Sequence, residues 1–331
     1  MQARSTAVGL PLAIGAAFAF GIGGPFVRPL LDAGWSPSAA VLARCAGTAV
    51  ALAIPAALLL RGRWHVLARN AGTIAAYGLF AVVGVQLLFY SAIQRIPVGV
   101  ALLIEYLAPV LLVLWGWART RRRPGGLTLT GAALAVAGLL LVVDLAGIGG
   151  ADLLGPGMAL LAAIGVAVYY VINARLDPEL HPIVLLAASM AAGSVLLLVL
   201  GAVGAMPLRV AFTPVALAGA TVPWWLSAGV MVLVSTLAAY LLGIAGGRRL
   251  GSRVGSFVGL FEVLFAVLAA WVLLGDLPTP VQLAGGTLIL AGVVLVKLQR
   301  DSPALAADPH VVPVRRRRWP VARRRTGAGA R

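Results

Sequence analysis

The chain has 331 residues, of which 61% are hydrophobic and 11% charged, and its mean hydropathy is +1.00. A soluble domain carries about a quarter charged residues, so a water-soluble globule is excluded. So is disorder, which requires low hydrophobicity. The net charge of +16, from 26 Lys and Arg against 10 Asp and Glu, adds a strongly basic character. Basic and apolar together, at this length, indicate a polytopic membrane protein.

Cys45 is the single cysteine, which excludes an intramolecular disulfide or a thiolate metal cluster. His65, His181 and His310 all fall in polar stretches between or after the apolar runs. That distribution argues against a haem or di-metal centre in the bilayer, and no cofactor is expected.

From the N-terminus, Met1 to Thr6 lead directly into an apolar run that exceeds a signal-peptide core and lacks a small-residue cleavage site. It reads as a retained first span. Ten candidate spans occur in order: 8–27, 39–60, 74–92, 98–117, 127–143, 153–172, 183–203, 225–245, 254–274 and 281–296. The runs are continuous and not alternating, so a transmembrane β-barrel is excluded.

With the N-terminus inside, the inner loops hold Arg61, Arg63, Arg69, Arg119, the arginines at 121–123, Arg175, Arg248, Arg249 and Arg253. The outer loops hold Arg28, Arg95 and Arg209, together with Asp32, Asp144, Asp152 and Asp276. The positive-inside rule therefore places both termini in the cytoplasm of a multi-pass protein of the inner membrane. Lys297, Arg300, the arginines at 315–318 and 323–325, and Arg331 read as a proline-containing cytoplasmic tail. Residues 299–331 are expected to be disordered and to secure topology, with anionic lipid headgroups as the alternative partner. Trp319 alone supplies no stacking platform, so nucleic acid is not an expected partner.

The two halves repeat. The Trp117, Gly131 and Gly138 landmarks of the first recur as Trp271, Gly285 and Gly292, each pair separated by 154 residues. Gln86 and Tyr240 share that separation. Residues 1–150 and 151–298 thus form two five-helix units. An odd number of spans per unit inverts the second in the membrane, an architecture used by alternating-access carriers. The expected fold is all-α and polytopic, ten transmembrane helices arranged as two inverted-topology repeats, working as a monomer or a homodimer.

The segments "VALLIEYLAPV", "STLAAYLL", "GLFEVLFAVLAAWVLLGD" and "GGTLILAGVVLV" carry a resemblance to a family. From Gly9 to Val296 the chain resembles ten-span carriers of the drug/metabolite transporter superfamily with two EamA domains. Its first half looks like the threonine/homoserine-exporter branch. The resemblance implies a cytoplasmic-membrane carrier exporting amino acids or other metabolites. The chain departs from the family pattern at Glu262-Val263, where Glu-Pro is usual. In the fourth span the corresponding pair is Ala108-Pro109, with Glu105 one turn earlier. A facilitator or importer on the same fold is the nearest rival reading; a membrane-embedded enzyme or sensor is a more distant one. An enzyme would need a nucleophile, base or metal set that the spans do not contain.

Arg44, Glu105 and Glu262 lie well inside spans, where an unpaired charge costs about 3 kcal/mol. At 1.5 Å per residue Glu105 sits about 11 Å below the outer surface and Arg44 about 8 Å. The two could form an ion pair, either as a fixed brace or as part of a substrate site. Glu262 reads as the site of a substrate ammonium or a coupled proton, against a backbone-bonding role at a helix break. Pro109 removes the helical bond to the carbonyl of Glu105, and Pro25 does the same for Gly21 at a flexible end of the first span. Both are candidate kinks.

Tyr106, Tyr169, Tyr240 and Gln86 are candidate cavity residues for a small-molecule substrate. Tyr170 and Asn173 read as interface anchors, and Gly251, Gly255 and Gly259 as a close helix-packing face.

Overall fold

The computed structural model describes residues 2–121, 123–143, 153–173 and 176–300. Arg122, Asp144, Asp152, Arg175 and the tail from Asp301 onward lie outside the described residues, as does the side chain of Arg253. Long apolar runs can meet a bilayer only as helices, because a helix satisfies its own backbone. The chain accordingly forms spans at Val8–Asp32, Pro37–Leu60, Ala71–Ile93, Val98–Thr120, Gly126–Val143, Leu154–Asn173, Pro182–Ala202, Trp224–Leu250 and Pro280–Leu298, with a shorter apolar helix at Phe261–Leu274. These are called the first to tenth spans in chain order, with Phe261–Leu274 in the ninth. Val50 and Ile54 of the second span are 76% and 73% exposed, which marks its lipid face.

Four features refine the sequence reading. The first span extends to Asp32, so Pro25 is buried within it and does not mark its end; the helix is interrupted at Ile22 and resumes at Gly23. The fourth span breaks at Tyr106–Leu107, between Val98–Glu105 and Ala108–Thr120, with Pro109 in the first turn of the second piece. Proline is tolerated there because the missing N–H has no helical partner to lose. The ninth span breaks in the same way. Helix continues through Val258, turns at Gly259–Leu260 and restarts at Phe261. The third and eighth spans each contain a π-helical segment, Tyr77–Gly84 and Val230–Ala238, whose last residues are also 154 apart. Hydropathy is blind to such segments.

The path of the chain shows the reversal into the ninth span. A Cβ on Gly9 would meet Arg249 and Leu250, while one on Gly21 would meet the carbonyl of Glu262 and the amide of Ala266. Between Leu250 and Glu262 the chain therefore runs back along the first span. Of the expected packing face, a Cβ on Gly255 would meet open space and Gly259 lies in the turn, while the surroundings of Gly251 lie outside the described residues.

The landmark glycines instead close the seam between the fifth and tenth spans. A Cβ on Gly131 would come 2.6 Å from the Gly292 carbonyl, and one on Gly138 would come 2.5 Å from that of Gly285. Each glycine of one repeat touches the pseudo-equivalent of its neighbour, as a two-fold axis requires. Lipid tails are as apolar as leucine, so close backbone approach and dispersion must hold such helices together.

One face of the bundle carries the small hairpin Val215–Leu217 (β1) and Ala220–Val222 (β2), which an all-helical reading does not foresee. Its two-residue turn uses positive φ at Ala218 and Gly219, the conformation that matches strand twist. The Ala218 N–H donates to the Leu273 carbonyl at 2.8 Å. The Ser36 hydroxyl donates to the Pro207 carbonyl at 2.6 Å, the Trp35 indole to that of Ala211 at 2.7 Å, and Trp35 packs on Trp224. This hairpin face is sealed.

At the opposite face Arg69 donates to Glu179 at 2.7 Å and to Asp177, which also accepts from Asn70 at 3.1 Å. The Glu179 backbone N–H, then Asn70, then Arg69, holds the Asp177 carboxyl below the usual carboxylate range. Burial, with Arg248 and Arg63, pushes His181 down as well.

Two predictions arise from the packing. Gly138→Leu should force the seam apart and lower stability by about 1–3 kcal/mol. Gly116→Leu, where a Cβ meets open space, should be near neutral; thermal unfolding in detergent measures both. A depressed pKa contributes stability above the unfolded value and loses it as pH falls through the folded one. Acidification should therefore raise amide exchange in residues 177–181 before the hairpin face responds, as mass-detected hydrogen exchange would reveal.

Candidate functional site

A cavity of about 430 Å³ lies where the two broken helices meet. The first, third, fourth, sixth, eighth and ninth spans wall it, with Arg44 entering from the second and Lys297 from the tenth. All six tyrosines of the chain line it: Tyr77, Tyr90, Tyr106, Tyr169, Tyr170 and Tyr240. Glu105, Glu262, Gln86 and Pro109 line it too. The site residues expected from sequence are thus brought together, apart from Pro25, which sits beside the lining glycines Gly23 and Gly24.

The π-helical segments explain two of these positions. An extra residue per turn rotates the helix beyond it, and such bulges re-aim side chains at functional sites. Gln86 and Tyr240 each come two residues after a π segment, and both face the cavity.

Arg44 does not pair with Glu105. Its Nη1 donates to Gln86 Oε1 at 2.8 Å and to the Tyr90 hydroxyl at 3.0 Å. The ion pairs among the described residues are Arg28–Asp32, Arg69–Asp177 and Arg69–Glu179, all outside the cavity. The geometric reason is that Gln86 and Tyr90 lie one turn apart on the third span, which places both acceptors against the second span. Arg44 is only 7% exposed, and its Nε finds no protein acceptor. A buried guanidinium with neutral partners is oriented but not neutralised, so its field extends into the cavity.

Glu262 lies in the first turn of the second piece of the ninth span. The Tyr106 hydroxyl lies 2.9 Å from Glu262 Oε2 and 2.7 Å from the Gly259 carbonyl. One tyrosine therefore joins the break in the fourth span to the break in the ninth.

Three sequence readings change here. Lys297, assigned to the basic tail, is on the tenth span and lines the cavity, so Glu262 does have a cation in its surroundings. Tyr170, read as an interface anchor, lines the cavity as well. Tyr90, fully buried and bonded to Arg44, is a functional candidate that sequence reasoning did not select. Its spacing of four from Gln86 is the signal that would have identified it.

Exposure grades along the cavity. Near the hairpin face Val98 is 1% and Phe89 7% exposed, whereas Tyr170 towards the opposite face is 42% exposed. The lining is thus buried at the hairpin end and exposed at Tyr170.

Removing the acceptor in Gln86→Leu should destabilise the protein by about 1.5–3 kcal/mol, the range for a bond to a buried charge. Asp32→Asn, at an exposed ion pair, should cost less than about 1 kcal/mol. Equilibrium unfolding in mixed micelles compares the two.

Comparison with known proteins agrees with this architecture. Residues 7–144 and 153–298 each match the EamA-like transporter family. The chain is 31% identical over 272 residues to a protein named probable terminal-alkyne amino-acid exporter of Streptantibioticus cattleyicolor, covering 82% of this chain and 87% of that one. It is 28% identical over 216 residues to the threonine/homoserine exporter RhtA of Escherichia coli K12, covering 63% of this chain and 66% of the other. A solved crystal structure aligns with a TM-score of 0.53 at 21% identity, over 90% of this chain and 98% of the other, a likeness of fold.

Proposed function

This chain belongs to the EamA-like transporter family, and from that premise we propose that it exports a small amino-acid-like metabolite by alternating access, in exchange for protons. It is a multi-pass membrane transporter with two repeats of five spans each. The observation that carries the finer reading is the central cavity, which gathers the intramembrane charges at the meeting of the two helix breaks.

A zwitterion suits that cavity. Arg44, with an unpartnered buried Nε, receives the carboxylate, and Glu105, which faces the same space, receives the ammonium. The tyrosine faces accommodate the side chain. Glu262, joined to Tyr106, carries the coupled proton. Positive-inside logic makes the hairpin face extracytoplasmic. The sealed hairpin and the exposed Tyr170 end then correspond to a carrier open to the cytoplasm, ready to load a cytoplasmic solute. The named activities of the two exporter relatives support the amino-acid reading.

Counterflow in proteoliposomes with labelled amino acids and amines, with and without a pH gradient, tests the proposal. Exchange of at least one amino acid is expected, and no exchange across the panel would overturn the substrate class. Glu262→Gln should retain exchange but lose acceleration by the gradient. Undiminished gradient-driven flux in that variant would remove Glu262 from proton coupling.

A further inference from the structure

We propose that the Tyr106 hydroxyl converts the protonation state of Glu262 into a contact between the two broken helices, acting as the positioning residue of the carrier cycle. The inference deepens the proton-exchange reading and rests on Glu262 being the proton carrier. A phenol has one hydrogen to donate and lone pairs with which to accept. Tyr106 lies within bonding distance of two oxygens, the Gly259 carbonyl at 2.7 Å and Glu262 Oε2 at 2.9 Å. A carbonyl can only accept, so the contact with Gly259 uses the tyrosine hydrogen. The contact with Glu262 is then a bond only if the carboxyl carries a proton and donates it to the phenol oxygen.

With Glu262 ionised, the same hydrogen turns to the carboxylate, since charge-assisted bonds are roughly twice as strong as neutral ones. The Gly259 carbonyl then faces the tyrosine oxygen lone pair to lone pair, and the contact opens. That carbonyl still accepts the Glu262 N–H at 3.1 Å, so its turn survives while its tie to the fourth span is lost. In this scheme the two contacts made at once correspond to the protonated, tied state. The proton reaches Glu262 Oε2 from water when the cavity faces the extracytoplasmic side and leaves the same oxygen to cytoplasmic water when it faces inward.

The other groups acting on Glu262 come from every side. Glu105 is on the fourth span, Arg44 on the second, Tyr240 on the eighth and Lys297 on the tenth. The first span presents the backbone at Gly21 and no titratable group. Protonation of Glu262 thus changes the balance among these groups, and Tyr106 is the one that also touches the opposing break.

Spin labels on Leu114→Cys of the fourth span and Leu268→Cys of the ninth, both on exposed positions, report the separation of the two pieces in lipid vesicles. Cys45 is fully buried and stays unlabelled. In this background the distance distribution should shift as pH crosses the carboxylate's titration. Glu262→Gln should hold the acid distribution at all pH, and Tyr106→Phe should lose the pH response. A Tyr106→Phe protein with the full response, or a background with no response, overturns the proposal. The readout needs no substrate. A chain that exchanges no solute yet shows this pattern keeps the switch and discards the amino-acid reading.

Discussion

Backbone that leaves a helix inside hydrocarbon must find its partners in protein, and this constraint governs the centre of the molecule. The breaks at Tyr106–Leu107 and Gly259–Leu260 would each be untenable against lipid. They persist because they face one another across a protein-walled cavity and are joined by the Tyr106 hydroxyl. The intramembrane charges Arg44, Glu105 and Glu262, with Gln86 and the tyrosines, gather at that meeting point. A repeat containing one broken helix has no stable place for it alone; two repeats, inverted, supply each other's partner.

The seam between the fifth and tenth spans plays the complementary part. Hydrophobic burial gives helices in lipid little reason to associate, so contact depends on how closely backbones approach. Gly131, Gly138, Gly285 and Gly292 bring those helices together away from the cavity. The fold is closely packed at the seam and interrupted at the centre, where the cavity lies.

Cavity electrostatics arise from the same geometry. In the sequence the core reads as acidic, one arginine against two carboxylates. Lys297 at the inner end of the tenth span adds a second cation to the cavity lining. The six tyrosines bring to the cavity hydroxyls that can donate or accept.

Much of this was legible in one dimension. Hydropathy located ten spans because bilayer thickness imposes their length, and the recurrence of Trp117, Gly131 and Gly138 exposed the repeat because landmarks survive duplication. Glu105, Glu262 and Arg44 stood out because charge inside a span is costly unless it is paired or hydrated. Pairing was not legible. Arg44 turned to Gln86 and Tyr90 and away from Glu105, since depth along two helices leaves their rotation undetermined. The π-helical segments, the break at Gly259 and the inward aim of Lys297 were hidden for a similar reason: each depends on which side of a helix faces a partner. The sequence by itself determined that the chain crosses a membrane as two related halves with charge at their core, because composition and spacing report solvent and length. Only the tertiary structure decided that Tyr106 bridges the halves, because a hydroxyl's partners are set by approach in space and not by order along the chain.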